Sequence, residues 1–79
     1  MAHQVKWWTK RILERFIEVA ALTETEEAVI RSRVRGRTIT QQAMELGMSE
    51  ATINRITKRL KEKYDQAAAE DPELPLRRK

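Results

Sequence analysis

Residues 38–64, TITQQAMELGMSEATINRITKRLKEKY, read as a short helix, a tight turn and a longer basic helix. In the last of these Ile53, Ile56, Leu60 and Tyr64 recur at three- and four-residue spacing and therefore share one side. Ala51, Asn54, Arg55, Lys58 and Glu62 fall opposite them, with Arg59 and Lys61 at the flanks. This pattern predicts a helix from Glu50 to about Ala69 that buries its isoleucine ridge and leaves the polar side for a partner. Gly47-Met48-Ser49 supplies the turn: Gly47 relieves the strain of a tight connection, Met48 plugs the core beneath it and Ser49 caps the next helix. Thr38 and Gln41 form a capping pair for the shorter helix, predicted to run to about Leu46, where Ala43 provides the small side chain of a close crossing.

Moving toward the N-terminus, Thr23 and Glu26 repeat the capping pair and open another helix. Glu24, Glu26 and Glu27 lie at its positive dipole end, a structural use for the acidic cluster that needs no catalytic role. Val29, Ile30 and Val34 face inward, and Gly36 takes the left-handed conformation that ends such helices. Arg31, Arg33, Arg35 and Arg37 follow every second residue, which scatters them around a helix axis and does not form one patch. From Gln4 to Ala21, Val5, Trp8, Ile12, Phe16 and Val19 make one stripe, widened by Leu13, Ile17 and Ala20 to nearly half the circumference. Such a stripe is broader than one neighbour usually covers, which predicts two partners for this helix, with a second subunit one candidate for the second. Trp8 belongs to the core by this geometry. Lys10, Arg11, Glu14, Arg15 and Glu18 form the wet side, with Trp7 among them.

Seventy-nine residues make one small domain with a thin core built from a few helices. The expected organisation is an all-α bundle of about four helices over 1–69, followed by a mobile tail over 70–79. Sixteen basic and twelve acidic side chains give a formal +4, and the charge is unevenly placed. Residues 31–64 hold nine basic and three acidic side chains, a local +6, whereas 23–30 hold three acids and no base. The chain has no cysteine, and His3 stands alone, so neither a disulfide frame nor a thiolate or histidine metal site is expected. No cofactor is implied: two glycines leave little material for a phosphate loop, and no catalytic constellation is visible. Apolar runs stop at four residues, far short of the roughly 20 that span a bilayer, and no signal peptide precedes them. A cytoplasmic protein without membrane contact is expected.

A basic helix presented behind a helix and a turn fits the major groove of B-DNA, where asparagine pairs with adenine and arginine with guanine. The first turns of such a helix enter the groove, so Glu50, Ala51, Asn54 and Arg55 are the candidates for reading base edges. Ser49, Thr52, Lys58 and Arg59 are candidates for the phosphate backbone, joined by Arg35, Arg37 and Thr38 at the preceding helix ends. Double-stranded DNA is accordingly the expected partner, and an enzyme is not expected.

Leu22, Thr23, Glu26, Val29, Ile30, Gly36, Thr38, Ala43, Leu46, Met48, Ser49, Thr52 and Ile53 fall without a gap in a register that resembles the LuxR-type and sigma-factor region-four group of helix-turn-helix domains. The resemblance covers Leu22 to Ile53, with the helix-turn-helix unit itself at about 38–64. It implies prokaryotic or phage transcription control through the helix from Ser49 onward, braced across the groove by the helix before it. Gln41-Gln42 departs from the Glu-Ile usual in that group and puts an amide at a core position, for which Met44 would compensate by a small rotation. Ile56 stands where the LuxR-type pattern has a histidine. The separate dimer-forming helix of that pattern has no clear counterpart, so a homodimer would use the 4–21 helix or the apolar 60–69 helix end with Leu60, Tyr64, Ala67 and Ala68.

Glu70-Asp71-Pro72 stops the last helix, because the residue before proline is pushed out of helical geometry. Residues 70–79, EDPELPLRRK, then read as an extended end carrying Arg77, Arg78 and Lys79, and no site is assigned to them. Three functions fit these observations. A sequence-specific DNA-binding regulator leads; a DNA-binding adaptor of a phage or mobile element, serving packaging or recombination, comes second; a helical protein-interaction module that leaves DNA alone comes third.

Overall fold

Every helix among the described residues, 9–76 of the computed structural model, begins behind a hydroxyl side chain. Helix α1 (Lys10–Ala20) follows Thr9, α2 (Glu24–Val34) follows Thr23, α3 (Ile39–Leu46) follows Thr38 and α4 (Glu50–Glu70) follows Ser49. In each case the hydroxyl oxygen accepts the amide hydrogen of the third helical residue, satisfying one of the donors that a helix start leaves free. At Thr23 and Thr38 the third residue, Glu26 or Gln41, accepts in return from the cap's own amide, so both expected capping boxes form. The protein is all-α, with four helices and no strand among the described residues.

Helix α4 is the spine, packed against each of the other three. Ile53, Ile56, Leu60 and Tyr64 are buried along it as the spacing predicts, and Ala67 and Ala68 continue the buried side. Phe16 of α1, Val29 and Ile30 of α2 and Leu13 of α1 complete the centre, with Phe16 set edge to face against Tyr64 at a ring-centroid separation of 5.1 Å. Met48 packs half-buried against this core under the turn, in its expected place.

Several expectations need correction. Helix α1 starts at Lys10, because Thr9 is extended as its cap; Val5, Trp7 and Trp8 lie outside the described residues. Its wet side is only partly wet. Glu14 accepts two bonds from the Arg31 guanidinium of α2, at 2.7 and 3.0 Å, and Arg15 donates to Asp71 beyond α4 at 2.7 Å. Along the α1 stripe Ile12, Ile17, Val19 and Ala20 pack half-buried around Leu13 and Phe16. The 60–69 helix end does not offer an apolar face to a second copy, since Leu60, Tyr64, Ala67 and Ala68 are already inside.

The chain after α4 folds back where an extended end was expected. Asp71 leaves helical geometry ahead of Pro72, at φ −117° and ψ 111°, and a turn then brings Leu74 to 2% exposure. Leu74 closes the core, and the Tyr64 hydroxyl donates to the Pro75 carbonyl. An apolar side chain that finds a vacant edge of a thin core gains more from burial than the short segment loses in freedom. Arg77, Arg78 and Lys79 lie outside the described residues.

Candidate nucleic-acid interface

The turn between α3 and α4 is held by local chemistry. Gly47 sits at φ +67°, and the Met48 amide donates back to the Ala43 carbonyl at 3.0 Å, closing the end of α3. Ser49 then caps α4, its oxygen accepting from the Thr52 amide at 3.1 Å and its hydroxyl donating to Thr52 Oγ1 at 2.9 Å. The bend therefore places the first turns of α4 at the surface, with α3 alongside.

On that surface Glu50, Ala51, Asn54, Arg55 and Lys58 are all exposed, and Lys61 and Glu62 continue the row. Neither Arg55 nor Lys58 takes part in an ion pair among the described residues. The four base-edge candidates are brought together at one end of α4. The backbone candidates are less uniform. Thr52 is half-buried, and the Ser49 hydroxyl is committed to its cap. Thr38 is exposed, with its oxygen engaged by the Gln41 amide.

Arg35 and Arg37 are exposed, but both reach Glu45 of α3: Arg37 Nε donates at 2.8 Å, and an Arg35 nitrogen lies at 3.9 Å. Two guanidiniums around one carboxylate leave one net positive charge at this end of the surface, which lowers their combined pull on a phosphate.

Arg59 differs again. Its Nε donates to Glu26 of α2 at 2.9 Å, while Lys63 donates to the other Glu26 oxygen at 2.7 Å. Glu26 is 2% exposed, and burial alone would push its carboxyl up. The Lys63 ammonium, the Thr23 amide and the Arg59 guanidinium outweigh that effect and hold it at about 2. Half of the Arg59 side chain stays open to solvent, so it serves the α2–α4 contact first and has only its outer part for another anion. The spacing does place Glu26 on the face of Val29 and Ile30, three and four residues on. That is the signal in the sequence for a buried carboxylate, obscured by its second role as a cap.

Gln42 is also a core residue by burial, with no exposed surface. Its amide nitrogen donates to the Val29 carbonyl at 3.0 Å and to Ser32 Oγ at 2.8 Å, and the Ser32 hydroxyl donates to the same carbonyl. The expected rotation of Met44 does not occur. Met44 is 79% exposed, and the amide nitrogen is accommodated by the buried Ser32 and the Val29 carbonyl instead, while Gln42 Oε1 is buried without a hydrogen-bond partner among the described residues. A further contact absent from the sequence reading joins the two helices across the turn: Thr40 Oγ1 of α3 donates to Glu50 Oε2 of α4 at 2.8 Å.

No protein-family model, curated protein or solved structure matches this chain.

Proposed function

We propose that this chain binds double-stranded DNA in a sequence-dependent way, as a small prokaryotic or phage transcriptional regulator that acts by occupancy and performs no chemistry. The observation that carries this reading is the sorting of α4: its isoleucine ridge is buried, while Asn54, Arg55 and Lys58 stand free beyond the Gly47 bend. A helix of that kind fits the major groove, with Asn54 facing adenine, Arg55 facing guanine and Lys58 on the phosphates. The resemblance to the LuxR-type and sigma-factor region-four register from Leu22 to Ile53 supports the same orientation. One such unit covers only a few base pairs, so two copies on paired half-sites are expected.

Selection from a randomised duplex pool with the purified protein is the direct test. A defined motif should be enriched, and binding should weaken steeply with salt as counterions are displaced. Arg55→Ala should flatten preference at one position of the motif, whereas Lys58→Ala should weaken all duplexes alike and lower the log-log salt slope by about one. Lys58 is the better phosphate probe than Arg59, whose loss also strips a partner from buried Glu26. Failure to enrich any motif, together with salt-insensitive binding, would overturn the proposal in favour of a protein-interaction module.

A further inference from the structure

We infer that Thr40 is a positioning residue that orients the Glu50 carboxylate as a reader of a base amino group, cytosine N4 above all. The inference rests on α4 being the groove helix. Glu50 is the first residue of α4, and its side chain is bound by the hydroxyl of Thr40 at 2.8 Å, ten residues earlier on α3. Both residues are exposed, so this bond relieves no buried group and adds little to folding. What it does is choose an orientation. A threonine on a helix is confined largely to two side-chain rotamers, so its hydroxyl offers few positions to which the longer glutamate is tied.

An ionised carboxylate only accepts hydrogen bonds, and Thr40 occupies one of its two oxygens. Oxygen Oε1 is left with open lone pairs at the end of α4 that carries Asn54 and Arg55. In the major groove guanine offers the acceptors N7 and O6, and thymine offers O4 and a methyl group; neither can donate to a carboxylate. Adenine donates from N6, but its N7 acceptor lies beside it. Cytosine N4 is the donor whose neighbourhood suits Glu50 best. The carboxylate also repels phosphates. Its contribution is therefore discrimination, through the cost of leaving it facing an acceptor, more than affinity. With Thr40 in place that cost falls mainly on one geometry, since the bond biases the side chain against turning away to water.

The experiment compares the base preferences of wild type, Thr40→Val, Thr40→Ser and Glu50→Gln by the same randomised-duplex selection. Affinities are then measured for the selected duplex and for its single-base variants. Wild type should show a cytosine preference that Glu50→Gln abolishes. Thr40→Val should reduce preference at that position about fivefold, Thr40→Ser should restore it, and preferences at the other positions should hold. Three results would overturn the inference while leaving DNA recognition standing: preferences unchanged by Thr40→Val, a flattening of all positions together, or Thr40→Ser behaving as Thr40→Val. A wild-type protein with no base preference at all would overturn sequence-dependent recognition itself, and with it this refinement, before any variant is compared.

Discussion

Glu26 illustrates how one side chain serves two elements. Its Oε1 accepts from the Thr23 amide and from Lys63, and its Oε2 accepts from Arg59, so α2 is capped and tied to α4 by the same carboxylate. A carboxyl held at about 2 in the fold, against an ordinary 4.5, binds fewer protons folded than unfolded. Its stabilisation is therefore complete above about pH 4.5 and is lost as pH falls toward 2, to the extent of about 3 kcal/mol. Glu14, lowered by Arg31, and Asp71, lowered by the Glu73 amide and Arg15, act in the same direction. Urea midpoints followed by circular dichroism should fall through this window. Glu26→Gln should remove part of that fall and cost about 2 kcal/mol at neutral pH, since Arg59 and Lys63 can turn to water. An acid limb identical in the variant would reassign the effect to the other carboxylates. The cap was legible because Thr23 and Glu26 are local. The anchor was not, because its partners lie 33 and 37 residues away.

The helices owe their ends to a few backbone conformations. Gly36 at φ +91° and Gly47 at φ +67° end α2 and α3 at no steric cost, while α1 ends on Ala21 at φ +51°, where a Cβ is strained. The contrast yields paired expectations. Ala21→Gly should raise stability by up to about 1 kcal/mol, and Gly47→Ala should lower it by about 1–2 kcal/mol. A Cβ at Gly47 would meet no atom within 4 Å, so the loss would be conformational and not a clash. Thermal unfolding of the two variants checks both signs, and equal melting temperatures for Gly47→Ala and wild type would mean that the turn relaxes at little cost. Helix starts and glycine stops were readable because caps and left-handed ends act over three or four residues. The Ala21 stop carries no such residue signal: it is set by where α1 must release the chain toward the Thr23 cap.

At the scale of the molecule, α4 divides its labour along its length. The proximal half shows Glu50, Ala51, Asn54 and Arg55 to solvent, and the distal half is gripped by α1 and the returning segment through Phe16, Arg15, Leu74 and the Pro75 carbonyl. Leu74→Ala should therefore cost about 2 kcal/mol in denaturant unfolding, by removing buried methyl groups from the edge of a thin core. A negligible loss would mean that 71–76 is not part of the folded unit. Hydropathy period, capping pairs and glycine positions determined by themselves that four helices form, where α2, α3 and α4 begin and which side of α4 is apolar, because each rests on contacts within one or two turns. Tertiary structure alone decided that Glu26 gathers Arg59 and Lys63, that Glu45 draws in Arg35 and Arg37, that Ser32 receives Gln42, and that Leu74 occupies the surface expected for a second chain. Those outcomes depend on which charges and apolar edges meet once separate helices are packed together, and no local spacing encodes that meeting.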